Sequence, residues 1–296
     1  MNDHLGTNGI LLLDKPSGIT SNAALGRAKR ILGIRKAGHT GTLDPMASGL
    51  LVLCFGEATK VSAFLLDADK AYEAELHLGV ETDSEDAEGE VTAERDVPAL
   101  NESTIEKVLD RFRGPIEQIP PMHSALKHKG QRLYELARKG ETVERPPRSV
   151  TIHELKLLEV NLPKLRIDVR CSKGTYVRSL ARDIGQSLDC GAHLSGLRRT
   201  LSAPFHIDAA ISLESLDELD RDQARALLLP PDRALEHLPE VRLEDDQVRR
   251  VRLGQKLAGL SEPHEGEVRI HGTEVFVGIG EMDGEGRLRP KRLLAN

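Results

Sequence analysis

Between Gly9 and Phe55 the sequence alternates apolar strand, turn, capped helix, glycine-rich loop and apolar strand, and few folds accommodate that order. Gly9-Ile10-Leu11-Leu12-Leu13-Asp14-Lys15 reads as a buried strand that Pro16-Ser17-Gly18 stops. Thr20 or Ser21 can cap a helix running through Leu32, and Gly33 ends it. From Ile34 to Gly49 the chain is rich in Gly, Lys, Arg and His without an apolar period, so it reads as a loop. That loop feeds the apolar strand Leu50-Leu51-Val52-Leu53-Cys54-Phe55 and carries Asp44 at the strand entrance.

Downstream, a helix is expected near Glu57 to Leu66, and Tyr72-Glu73-Ala74-Glu75-Leu76-His77-Leu78 alternates as a half-buried strand. The acidic run Glu81 to Glu90 lacks the spacing of a calcium-binding loop and reads as a solvated hairpin tip. Ser103 with Glu106 forms a capping box for a helix ending near Gly114. A Pro- and His-containing loop follows, then a helix from about Gln131 to Lys139, so that 103–148 reads as an insertion lobe. Strands are expected near Ser149 to Val160 and Lys164 to Cys171, a helix through Leu188, and a strand within Ala192 to Phe205. Helices mixed with mostly hairpin-connected strands imply an α+β fold. Short acidic helices, a Pro230-Pro231 break and a glycine-punctuated β-rich tail place a boundary near 240, giving domains 1–239 and 240–296.

The net charge of −6 hides two basic blocks: residues 1–60 carry +3 and 103–208 carry +7, against −11 for 61–102 and −5 for 209–296. Such a chain can present a positive groove to a phosphate backbone. Lys127, Lys129, Arg132, Arg138 and Lys139 suggest a phosphate-contacting lobe or, equally, a solvated helix face. With no Trp, three Tyr and five Phe, there is little material for extended base stacking on a sheet. Cys54, Cys171 and Cys190 form no C-x-x-C pair and read as buried, reduced thiols. Apolar runs fall far below the roughly 18 residues of a membrane span, and the N-terminus has no secretory pattern, so a cytoplasmic location without membrane contact is expected.

The sequence contains no GxxxxGK[ST], GxGxxG, HExxH or GxSxG, and no cofactor or metal is expected. On the residues alone Asp44 is a loop carboxylate, a residue type more often found as a turn or cap residue than as a nucleophile. Tyr72 and Tyr176 are by the same standard half-buried sheet residues, Arg178 a surface helix residue, Leu197 core, His39 a loop histidine and Lys15 a bridge from loop to core.

The segment Gly9 to Ser21, followed by Gly38-His39-Thr40-Gly41-Thr42-Leu43-Asp44-Pro45-Met46-Ala47-Ser48-Gly49-Leu50-Leu51, resembles the bacterial tRNA pseudouridine-55 synthase family, TruB. Four further segments are similar in the same order: Lys70-Ala71-Tyr72-Glu73, Pro120 to Lys127, Cys171 to Arg178, and Gly191-Ala192-His193-Leu194 to Arg198-Arg199. The likeness covers nearly the whole chain, departing at His123, where the family often has Tyr, and becoming loose in the tail.

The resemblance implies a pseudouridine-synthase catalytic domain with a small PUA-like C-terminal domain, and isomerisation of uridine 55 in the tRNA T-loop. It implies Asp44 as nucleophile, Tyr72 stacked on the uracil, Arg178 paired with Asp44, Tyr176 and Leu197 lining the pocket, and His39 at the base-flipping entrance. An Arg beside a partly buried Asp favours the ionised carboxylate, and an aromatic face can hold a base while it turns. If the chain is extended at 176–178, Tyr176 and Arg178 point to one side of a strand. The expected partner is the T-arm stem-loop of tRNA, bound by a monomer that needs no other protein. Two alternatives are an RNA-binding or RNA-folding module with dispensable catalysis, and an RNA-guided relative. A pure binder has no use for Asp44, Tyr72 and Arg178 together, and the RNA-guided relatives carry longer basic extensions.

Overall fold

The structure, a computed structural model, describes residues 8–124, 126–128, 130–137, 139–141, 143–260 and 264–295. Lys129 and Arg138 lie outside the described residues, as do the side chains of Lys127 and Arg132. In chain order the first elements are β1 (Gly9–Lys15), α1 (Ser21–Leu32), β2 (Ala37–His39), β3 (Ser48–Phe55), α2 (Ser62–Leu66), β4 (Lys70–Leu78), β5 (Val80–Thr82), β6 (Val91–Glu94) and α3 (Glu102–Leu109). Next come β7 (Gly114–Gln118), β8 (Lys127–His128), β9 (Gln131–Arg132), α4 (Leu133–Ala137), β10 (Arg148–Asn161), β11 (Lys164–Cys171), α5 (Val177–Ser187), β12 (Ala192–Ser202), β13 (Phe205–His206) and β14 (Ile211–Ser212). The chain closes with α6 (Leu213–Asp217), α7 (Arg221–Ala226), β15 (Glu240–Arg242), α8 (Asp245–Arg252), β16 (Gly266–His271), β17 (Phe276–Met282) and β18 (Leu288–Leu293).

Ten strands form one sheet with the path β14-β1-β3-β12-β4-β11-β10-β7, in which β1–β14 and β3–β12 are parallel and the other pairs antiparallel. The continuous apolar runs of β1 and β3 are explained by burial on both faces. Leu11, Leu13, Leu51, Leu53 and Phe55 pack against α1, α6 and α7, while Ile10, Leu12, Leu50, Val52 and Cys54 pack against α2, Phe205, Leu235 and Ile279. By contrast β4 alternates: Ala74, Leu76 and Leu78 enter a core with α3 and α5, and on the other face Glu75 and Glu73 pair with Lys164 and Arg166 at 2.8 and 3.3 Å. The C-terminal segment forms a four-stranded sheet, β15-β16-β17-β18, with its own core of Val268, Ile270, Val277, Met282 and Leu288. The mixed, mostly antiparallel sheet with flanking helices and a β-rich tail is the α+β architecture expected from the sequence.

Several local expectations are corrected. Asn101 caps α3 by accepting from the Thr104 N–H at 2.9 Å, so Ser103 lies inside the helix and is not its cap. The helix expected over 131–139 is the short α4, preceded by the β8–β9 hairpin. The acidic run is no solvated tip: Ser84, Glu85 and Asp86 are buried, because α5 supplies Arg178 and Arg182 to neutralise them.

Candidate active site

Asp44 sits on the turn between β2 and β3, and hydrogen bonds from Ser21, Lys15, Gly18 and Ala47 fix that turn. The Ser21 hydroxyl accepts from the Leu43 N–H at 2.8 Å and donates to the Leu43 carbonyl at 3.0 Å, tying the loop to the start of α1. Lys15, fully buried, donates to the carbonyls of Pro16 and Ile19, both at 2.8 Å, and its ammonium faces the Pro45 carbonyl at 3.5 Å. The Gly18 N–H donates to Pro45 at 2.8 Å, and the Ala47 N–H to the Asp44 carbonyl at 3.1 Å. Burial lowers the pKa of Lys15, and the Asp44 carboxylate opposes that shift. Gly49 then lets β12 approach β3: its φ is +100°, and a Cβ there would stand 2.3 Å from the Arg199 carbonyl oxygen.

Arg178 lies in the first turn of α5, not on a strand, so Tyr176 and Arg178 do not share a strand face; Tyr176 is the extended residue that precedes the helix. The Arg178 guanidinium is shared. Nη2 is 3.2 Å from Asp44 Oδ2 and donates to the His123 carbonyl at 2.8 Å; Nη1 donates to Asp86 Oδ2 and the Ser84 carbonyl, both at 3.2 Å. The side chains of Arg178 and Asp86 are 8% and 5% exposed and that of Asp44 37%, so one carboxylate is sealed and the other faces solvent across the same cation. Asp86 is further satisfied by the Ser84 hydroxyl at 2.6 Å and the Glu88 N–H at 3.0 Å. A buried carboxylate needs such compensation, since an unpaired one carries a desolvation cost of several kcal/mol.

The other expected residues lie on β2, β4, β12 and at the entry to α5. Tyr72 on β4 and Leu197 on β12 each pack against two cores, the α3/α5 side and the α1/α6/α7 side. Burial raises the Tyr72 pKa, with Arg199 pulling it down; burial also raises that of Tyr176, with the Ser124 hydroxyl, Arg148 and Arg178 opposing and Asp44 adding to the rise. The Tyr176 N–H donates to Gln118 Oε1 at 3.0 Å. His39 ends β2, its Nδ1 is buried without a hydrogen-bond partner, and burial together with Arg199 lowers its pKa. Among the described residues no group of three or more His, Cys, Asp or Glu side chains is arranged to hold a metal ion. The three cysteines are buried and free.

Two residues went unassigned at the level of sequence. Asp86 is hidden in an acidic run, where only the Ser84–Asp86–Gly89 turn chemistry could have marked it. Arg199 was legible by alternation, because residues 197 and 199 share a face of β12 and Leu197 was already placed at the pocket.

Residues 29–177 match the TruB family pseudouridylate synthase N-terminal domain, 178–236 the tRNA pseudouridylate synthase B C-terminal domain, and 239–294 the C-terminal domain of pseudouridine synthase II TruB. The chain is 53% identical over 288 residues to the tRNA pseudouridine synthase B of Aromatoleum aromaticum, covering 97% of this chain and 93% of that protein. It is 52% identical over 289 residues to the protein of the same name from Thiobacillus denitrificans, covering 97% and 96%. Among solved structures it is similar to a chain of a Cbf5-Nop10-Gar1 complex, with a TM-score of 0.73 at 29% identity over 98% of this chain and 85% of that one. Motifs, fold and these likenesses agree, and the chain belongs to the TruB family of pseudouridylate synthases.

Proposed function

We propose that the protein converts uridine to pseudouridine at position 55 in the T-loop of tRNA, with Asp44 as the nucleophile. The observation that carries this reading is the Asp44–Arg178–Asp86 arrangement: a solvent-facing carboxylate held by an arginine whose remaining charge is met by a sealed one. Arg178 is thereby fixed before substrate arrives, and it holds Asp44 in place beside the pocket that Tyr72, Tyr176 and Leu197 line.

The Asp44 carboxylate attacks ribose C1′ or uracil C6. The N1–C1′ bond breaks, and its electron pair stays with the uracil. The base turns against the Tyr72 ring, C5 bonds to C1′ as the carboxylate is released, C5 loses a proton and N1 gains one. Atoms and electrons balance without an oxidant. Because the target base must leave its stack, shape and phosphate contacts of the T-arm supply recognition, with His39 at the entrance. Residues 1–239 act as the catalytic unit and 240–296 as a PUA-like accessory, in a cytoplasmic monomer.

The test is incubation with an unmodified tRNA transcript followed by mapping of pseudouridine, with and without Asp44→Ala. Modification at position 55 that disappears in the variant is the expected result; a variant of full activity would refute the role of Asp44.

A further inference from the structure

Arg199 is a buried cation of a different kind from its neighbours. Arg178 meets Asp44 and Asp86, Arg182 meets Glu85 and Asp183, and Arg198 meets Asp14. Arg199 is 2% exposed, and among the described residues no carboxylate pairs with it; Nε donates to the Leu50 carbonyl at 2.6 Å and Nη2 to the Gly41 carbonyl at 3.1 Å. A guanidinium stays charged in a protein, so this is a fixed positive charge in the floor of the site.

Its surroundings are specific. In the β4–β12 ladder Arg199 lies directly opposite Tyr72, and in the β3–β12 contact it lies opposite Gly49. Across that ladder its charge opposes the burial-driven rise of the Tyr72 pKa and helps to lower that of His39. One residue therefore bonds the loop carrying Asp44, through Gly41, and lies across the ladder from the residue expected to stack on the substrate base. Arginine can only donate hydrogen bonds, whereas a phenol has one proton to give and two lone pairs to accept with. A donor at the Tyr72 oxygen leaves the phenol's own proton for a partner on the pocket side.

We propose that Arg199 is a positioning residue of the reaction: it donates to the Tyr72 phenol oxygen, turns the phenol's proton toward the base, and leaves there an uncompensated positive charge that favours the uracil anion. That anion forms when the N1–C1′ bond breaks with its pair on N1, so the inference rests on the isomerase reading of the site. A preorganised charge acts where negative charge develops and needs no rearrangement during the reaction.

The experiment combines Arg199→Gln and Arg199→Lys with Tyr72→Phe and measures kcat and KM by tritium release from tRNA labelled at uridine C5, and tRNA affinity by filter binding. Arg199→Gln lowers kcat about 100-fold while leaving tRNA affinity within about threefold, as loss of a preorganised donor does. Arg199→Lys recovers about tenfold of that loss, and in the Tyr72→Phe background Arg199→Gln costs less than about tenfold, because residues acting through one another are not additive. Equal losses in both backgrounds, or a loss carried by affinity and not by kcat, overturn the inference. If Arg199→Gln does not fold, the Lys variant in the two backgrounds decides the same question. A wild-type protein that forms no pseudouridine in any tRNA overturns the isomerase reading itself, whereas an active wild type with additive losses overturns the role of Arg199 alone.

Discussion

Arg178 and Asp86 form a sealed ion pair at 3.2 Å between residues 92 positions apart, and the same guanidinium carries Asp44 on its other nitrogen. Removing Asp86 leaves a buried cation with one partner, and breaking a buried pair costs about 3–5 kcal/mol. Asp86→Ala is expected to lose stability of that order in urea denaturation and to fall at least about 100-fold in pseudouridine formation. Asp86→Asn keeps an oxygen for Ser84 and the Glu88 N–H and should lose less stability than Asp86→Ala.

Asp44 is different in kind. Asp44→Ala removes a partly exposed carboxylate and leaves Arg178 paired with Asp86, so it should change stability by less than about 1 kcal/mol. On the nucleophile role proposed for Asp44, activity should nevertheless vanish. A melting curve beside an activity assay separates the two effects.

At Gly49 the constraint is steric. Its φ of +100° and the 2.3 Å approach to the Arg199 carbonyl exclude a side chain. Gly49→Ala should destabilise by at least about 2 kcal/mol. It should also lower activity, because the β3–β12 contact that holds Arg199 must separate; an unchanged denaturation midpoint would contradict this.

Glu57 ties the C-terminal segment to the catalytic body. It accepts from the Ala295 N–H at 2.9 Å and pairs with Lys36 and Lys60 at 2.7 and 2.5 Å, and these contacts, the Ala295 N–H foremost, lower its pKa from 4.5 to about 2. A carboxyl with a depressed folded-state pKa stabilises above its unfolded value and loses that contribution as pH falls through the folded one. The stability difference between wild type and Glu57→Gln should be full above pH 4.5 and shrink toward pH 2. Denaturation midpoints of the two proteins across that range give the measurement.

Binding of tRNA should weaken with salt, since phosphate contacts release counterions. A filter-binding series in KCl should show at least about a tenfold loss of affinity for a threefold rise in salt. A flat series would argue against a phosphate-led interface.

Local chemistry made part of this molecule readable. The Thr20 side chain caps α1 by accepting from the Ala23 N–H at 3.1 Å, and Gly33 closes the helix at a φ of 67°. Both signals lie within a few residues of what they specify. The paired apolar strands and the alternating β4 were equally legible, because strand periodicity records which faces are covered. What escaped depended on distant partners. Acidic composition argued for solvent at 81–90, and burial there is possible only because α5, some 90 residues later, brings Arg178 and Arg182. The helical setting of Arg178 was open because a short polar segment after a strand supports either an extended or a helical continuation. Alternation along β12 gives the face on which Arg199 lies but not its partners, Gly41 and Leu50, which are more than 100 residues away in sequence.

Ile279 belongs to β17 of the C-terminal sheet, yet it is fully buried in the core beneath β1 and β3. Lys60 and Arg292 reinforce the join by reciprocal bonds, the Lys60 ammonium to the Leu293 carbonyl at 2.8 Å and the Arg292 guanidinium to the Lys60 carbonyl at 3.1 Å. The tail is thus a wedge into that core. Swapping it between relatives would transplant a core residue without its socket, so a viable chimera has to exchange Ile279 together with the 57–65 segment that receives it.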